Sequence, residues 1–213
     1  MLIHILRNVG YDPVPEQAVF ERCEVECYEP PVIIAGWYNQ EEKKVYTCEP
    51  LIIEALETVS NIIPGPKLEM YFIYREVVRL HEHIHAYIHQ KAGDFWHYER
   101  NVDEPITEFL SYCVIKNYLS KDPCYGRRIL KLFEELPRIH PYDRWKDILN
   151  MYIGLNQNVK IEDLCKQIEK NDNSLKIIFR TFVSIMRTNP ANLNIVRDKL
   201  KSEIIILGVL EGV

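Results

Sequence analysis

The sequence predicts an α+β protein that is mainly α, with a small antiparallel sheet at its N-terminal end. Two observations carry this. Within residues 1–50, apolar and polar residues alternate over short stretches, most clearly Cys23, Val25 and Cys27 against Glu24 and Glu26. From Leu51 onwards apolar residues recur instead at three and four, the period of a helix with one buried face. The 213 residues suffice for one compact domain over 1–213, with 1–50 mainly β, 51–120 the central helices and 121–213 helical.

The first strand is expected over 22–28, and a second over 32–38, an apolar run opened by Pro30 and Pro31. A polar turn at 39–44 leads into a third strand, Val45 to Cys48. A helix over 51–62 stops at Pro64, Gly65 and Pro66. The central helix is expected over 68–91, where Ile73, Val77, Leu80, Ile84, Tyr87 and Ile88 form a continuous stripe and Gly93 supplies a stop. Another helix starts near Asp103 and runs to 119, with Pro105 in its first turn, where a missing N–H matters least. Further helices are expected over 127–136, 143–152, 161–170, 174–187 and 191–207.

Composition narrows the function classes. Hydrophobic residues at 47% and charged residues at 27% suit an ordinary globular protein. A net charge of -5 argues against a nucleic-acid partner, which needs a basic face. No stretch approaches the roughly 20 apolar residues of a membrane span, and the apolar start meets Pro13 too early for a secretory signal. A cytoplasmic location follows as the default. None of the six cysteines forms a CxxC pair, so they are expected to be buried or free thiols.

Residues 81–85 read His-Glu-His-Ile-His, which satisfies HExxH. Residues four apart on a helix stand about 40° apart around its axis, so His81 and His85 project from one face and can share one metal ion. Neutral imidazole suits zinc, and a catalytic zinc takes three protein ligands and leaves a position open. Glu82, beside the first histidine, is the candidate general base. His83 points to another side of the helix and is expected to face solvent, whereas His89 continues the 81–85 face as a rival or accessory ligand. The HExxHxxGxxH pattern fails, because Ile88 and Lys91 occupy its last two fixed positions.

The third ligand is sought downstream. Eighteen residues separate His85 from Glu104, which opens Glu-Pro-Ile-Thr-Glu-Phe-Leu-Ser-Tyr. This layout resembles the HExxH-x18-Glu arrangement of the gluzincin metallopeptidases. Glu104, Ile106, Thr107, Glu108, Phe109, Leu110 and Ser111 match the family's second helix, with Pro105 where Gly is usual. The resemblance runs from Ala35 through Tyr112. It implies a zincin-like catalytic unit, one zinc ion on His81, His85 and Glu104, and hydrolysis of a peptide or protein substrate. Glu108, one turn on, has its own plausible spacing, so it stands as neighbour and rival of Glu104.

Gluzincins often stabilise the oxyanion with a Tyr, His or Arg from a later segment. Tyr142 and His140 are the candidates, although Pro141 and Asp143 also read as a simple helix start. His97, in the Phe95-Trp96-His97-Tyr98 loop between the two ligand helices, is expected to belong to an aromatic loop packing on the core, with approach to the site as the alternative. The strand at 44–48 is the candidate edge on which an extended peptide would dock. A second reading is a zinc-binding regulatory or interaction protein that acts on one protein partner without general proteolysis.

Overall fold

A computed structural model gives the fold, and the structure describes residues 1–21, 23, 35–93, 100–136, 168 and 172–187. The elements are α1 (Ile3–Asn8), β1 (Glu16–Val19), β2 (Gly36–Asn39), β3 (Lys44–Cys48), α2 (Glu49–Glu54), α3 (Leu56–Ile62), α4 (Lys67–Ala92), α5 (Arg100–Lys121), α6 (Pro123–Glu135) and α7 (Asp172–Met186). The class is α+β and mainly helical, as the periodicities require.

The sheet departs from the expected antiparallel one. β3 lies between β1 and β2, antiparallel to β2 but parallel to β1. The β2–β3 hairpin forms where the polar turn was expected: the Asn39 side-chain oxygen accepts the Glu42 N–H at 3.0 Å, and Lys43 takes a positive φ of 51°. β1 was not foreseen, because Glu-Gln-Ala-Val carries too few apolar residues to show a period. Its pairing on one side of β3 and β2's on the other also removes Lys44–Cys48 as a docking edge. The strand expected over 22–28 lies outside the described residues, Cys23 excepted.

Cys23 corrects a second expectation. It is disulfide-bonded to Cys48, Cα to Cα 6.1 Å, rather than a thiol. Such bonds persist in oxidising surroundings, which pulls against the cytoplasmic default. Cys113 is a buried thiol and Cys124 an exposed one, whereas Cys27 and Cys165 lie outside the described residues.

The helix expected over 51–62 is interrupted at Ala55, with Ala55 N–H to Leu51 and Val59 N–H to Ala55 bonds carrying the chain across. α1 was also missed; its six residues are too few for a period, yet Leu2, Ile3, Ile5 and Leu6 are all buried. α4 follows the expected span and, at 26 residues, is about 39 Å long. α5 begins before Asp103, which places Pro105 inside the helix rather than in its first turn. α6 starts earlier than expected because Asp122 caps it, accepting the Tyr125 N–H at 3.0 Å, with Pro123 in the first turn.

The core lies among α4, α5, α6 and α7. Phe179 and Phe182 of α7 set their rings 5.1 Å from those of Tyr87 (α4) and Phe109 (α5) respectively. Each such buried ring contributes roughly 1.5–3 kcal/mol. At the α5–α6 corner a Cβ on Gly126 would come within 2.7 Å of the Leu119 Cα, so only glycine fits. Among the described residues, no helix is long and apolar enough to cross a membrane. The helices expected over 143–152 and 191–207 lie outside the described residues. So does the one over 161–170, except for Ile168, which is helical and buried.

Candidate metal centre

The stripe that buries α4 also fixes the direction of its polar residues. With Leu80, Ile84 and Ile88 in the core, His81 and His85 turn toward α5. There the His81 Nε2 stands 3.0 Å from the His85 Nε2 and 3.1 Å from the Glu104 Oε2, and the third side, His85 Nε2 to Glu104 Oε2, is 3.5 Å. The three side chains form a group that could hold a metal ion.

A further layer aims these donors. The outer nitrogen of His85, Nδ1, lies 2.9 Å from an Asp103 carboxylate oxygen, and the Thr107 hydroxyl is 3.3 Å away. The Nδ1 of His81 lies 3.4 Å from Glu108. A proton on each Nδ1, facing its carboxylate, leaves both Nε2 lone pairs pointing inward beside the Glu104 oxygen. Glu108 therefore stands behind a histidine, and Glu104 occupies the inner position. Asp103 was not anticipated. Its signal in the sequence was its place one turn before Thr107, directly beside Glu104.

The electrostatics favour positive charge here. Burial pulls the His81 pKa down, but hydrogen bonding to Glu104 and Glu108 outweighs it and raises it to about 10. His85 is likewise lifted, by Asp103 and Glu104 against burial. Burial would raise the Glu104 carboxyl, yet the two histidines hold it well below the usual carboxylate range. Glu82 differs: burial pushes its carboxyl up, against the attraction of His81 and His85.

β2 presses on Glu82 from the other side. A Cβ on Gly36 would sit 2.6 Å from the Val78 Cγ1 and 3.1 Å from the Glu82 Cγ, so the strand reaches α4 only because this residue is glycine. The Tyr38 main-chain N–H favours the ionised form of Glu82.

The remaining histidines separate from the group. His83 points away from it, as expected, but is fully buried rather than solvent-facing. Its Nε2–H donates to Glu16 at 2.9 Å and its Nδ1 accepts from the Tyr11 hydroxyl at 2.5 Å. Arg79 holds the same Glu16 through two hydrogen bonds of 2.6 Å. His89 pairs with the Tyr38 hydroxyl at 2.7 Å and does not join His81 and His85. Tyr142, His140 and His97 lie outside the described residues. Comparison with family models, curated proteins and solved structures finds no match to this chain.

Proposed function

We propose that this chain is a zinc-dependent metallopeptidase, with one zinc ion on His81, His85 and Glu104 and Glu82 as its general base. The observation that carries the reading is the triangle of donors, with sides of 3.0, 3.1 and 3.5 Å. Tetrahedral zinc ligands at about 2.0–2.1 Å stand about 3.3–3.4 Å from one another, close to all three sides. Two nitrogens and one carboxylate oxygen are a donor set suited to catalytic zinc. The carboxylates behind both imidazoles are the companions that zinc-ligating histidines regularly have.

Bound there, the ion supplies Lewis acidity, which acidifies water and polarises a carbonyl oxygen. The chain's own residues do the rest. Asp103 and Glu108 fix the ring orientations, and the buried position of Glu82 keeps its carboxylate dry and basic. Glu82 takes the proton that water loses as its oxygen joins the scissile carbonyl carbon. It then delivers that proton to the amine nitrogen as the C–N bond breaks. Tyr142 and His140 stay the candidates for steadying the oxyanion. The substrate is a peptide or protein, and β2, which packs on Glu82, replaces 44–48 as the strand beside which it would lie.

Metal analysis of the purified chain and cleavage of a peptide library test this together. About one equivalent of zinc is expected, with Glu82→Gln keeping the metal and losing cleavage. Less than about half an equivalent sinks the metal assignment. A Glu82→Gln variant that cleaves as fast as the parent sinks the mechanism. A parent that holds zinc and cleaves one cellular protein but no library peptide would shift the reading to the regulatory alternative.

A further inference from the structure

Behind α4 lies a second polar site that shares no residue with the metal centre. Tyr87 follows His85 by about 200° around the helix, which carries it to the opposite side. There a cavity of about 400 Å³ opens between the end of α1, the last turns of α4, and α7. Val9, Tyr87, Lys91, Arg180, Val183 and Arg187 line it.

Each of its polar side chains can donate a hydrogen bond. Lys91, Arg180 and Arg187 bring three positive charges, and none is in an ion pair among the described residues. Arg187 spends one N–H on the Lys91 carbonyl oxygen, which covers the negative end of α4 and leaves its terminal nitrogens for other use. Tyr87 is only 2% exposed, yet its hydroxyl has no hydrogen-bond partner among the described residues. Edge contacts to Tyr11 and Phe179, with ring centroids at 6.2 and 5.1 Å, fix the ring. Burial pushes that hydroxyl up to about 12, and Arg180 and Arg187 act on it in the opposite sense, which places both cations within electrostatic reach.

A single carboxylate would be satisfied by one arginine, since its two oxygens match one guanidinium fork. Three cations and a phenol exceed that need. They match a phosphoryl group, with its three acceptor oxygens and nearly two negative charges. Val9 and Val183 add apolar surface for the carbon part of a ligand. We propose that this cavity binds a phosphate-bearing small molecule, its phosphoryl oxygens held by Lys91, Arg180 and Arg187 with the Tyr87 hydroxyl as fourth donor.

Calorimetric titration of the full chain with phenyl phosphate, and with benzoate as the carboxylate of similar shape, tests the assignment. Saturable binding of one phenyl phosphate is expected, with benzoate weaker by roughly tenfold or more. Arg180→Gln should weaken phenyl phosphate by roughly tenfold. Tyr87→Phe, which keeps the ring and removes only the oxygen, should weaken it severalfold and leave the fold intact. Arg127→Gln, the same charge change at an exposed position of α6, should have no effect. The proposal is overturned by any of three results: no saturation by about 10 mM, equal loss in Arg127→Gln and Arg180→Gln, or unchanged binding in both cavity variants. None of these touches the zinc assignment, which rests on other residues.

Discussion

On the front of α4, His81 and His85 turn their Nε2 atoms toward each other and toward Glu104; on the back, His83 gives both ring nitrogens to fixed partners, Glu16 and Tyr11. Both faces pair histidine with carboxylate, and each has a buried histidine, His85 on the front and His83 on the back. They differ in what is left over. The front leaves two lone pairs and a carboxylate oxygen aimed at one point, which a cation can complete. The group around His83 closes on itself: Glu16 also takes Arg79, and the His83 Nε2–H and the Tyr11 hydroxyl each have an acceptor. Histidine and carboxylate in contact therefore do not define a metal site. The direction of the free lone pairs does.

Substituting one histidine on each face should break the comparison most sharply. His81→Ala or His85→Ala removes one of three ligands, so bound zinc should fall from about one equivalent to near none. Chelator should then no longer shift the thermal midpoint of the variant. His83→Ala should keep its zinc and lose stability instead. It leaves a cavity, an unanswered Tyr11 hydroxyl and a Glu16 with one partner fewer, a loss of about 2–4 kcal/mol in denaturant unfolding. A His83 variant without metal but with parental stability would reverse the two roles.

Asp103→Asn should act more mildly than either. The amide oxygen can still accept from the His85 Nδ1–H, but the charge that strengthens that bond is gone. Zinc affinity should fall by about 10–100-fold with stoichiometry unchanged. Competition with a chelator of known affinity measures this directly. Affinity equal to the parent's would mean that Asp103 does not aim the ligand.

The front of α4 was far more legible in the sequence than the back. HExxH depends only on helix period and ligand type, which survive in one dimension, and Glu104 was legible through the resemblance to the gluzincin layout. The partners of His83 were not: Tyr11 and Glu16 lie 72 and 67 residues away, on a loop and on a strand too weakly patterned to recognise. His83 therefore looked like a surface histidine. The same limit hid the β1–β3 pairing and the Cys23–Cys48 bond, whose ends are 25 residues apart. Gly36 was visible only as part of a strand. Its need for a bare Cα emerges once Val78 and Glu82 are seen against it.

The smallest expected effect belongs to the back face, in acid. Burial would raise the Glu16 carboxyl, but the hydrogen bonds from His83 and Arg79 outweigh it and bring its pKa to about 2 from an ordinary value of 4.5. A carboxyl depressed on folding stabilises the fold above its unfolded pKa, and that contribution disappears as pH falls through the folded value. The protein should thus lose stability between about pH 4.5 and 2, by on the order of 2 kcal/mol from this group after allowing for its partial exposure. Glu16→Gln should be less stable than the parent at neutral pH and should lose less on acidification, so the two unfolding curves converge toward pH 2. Zinc cannot mimic this below pH 4, where histidine ligands are protonated in the unfolded chain and metal is released from both proteins alike. Parallel curves for parent and variant across that window would show that Glu16 gains nothing from His83 and Arg79, and the back of α4 would then be held by packing alone.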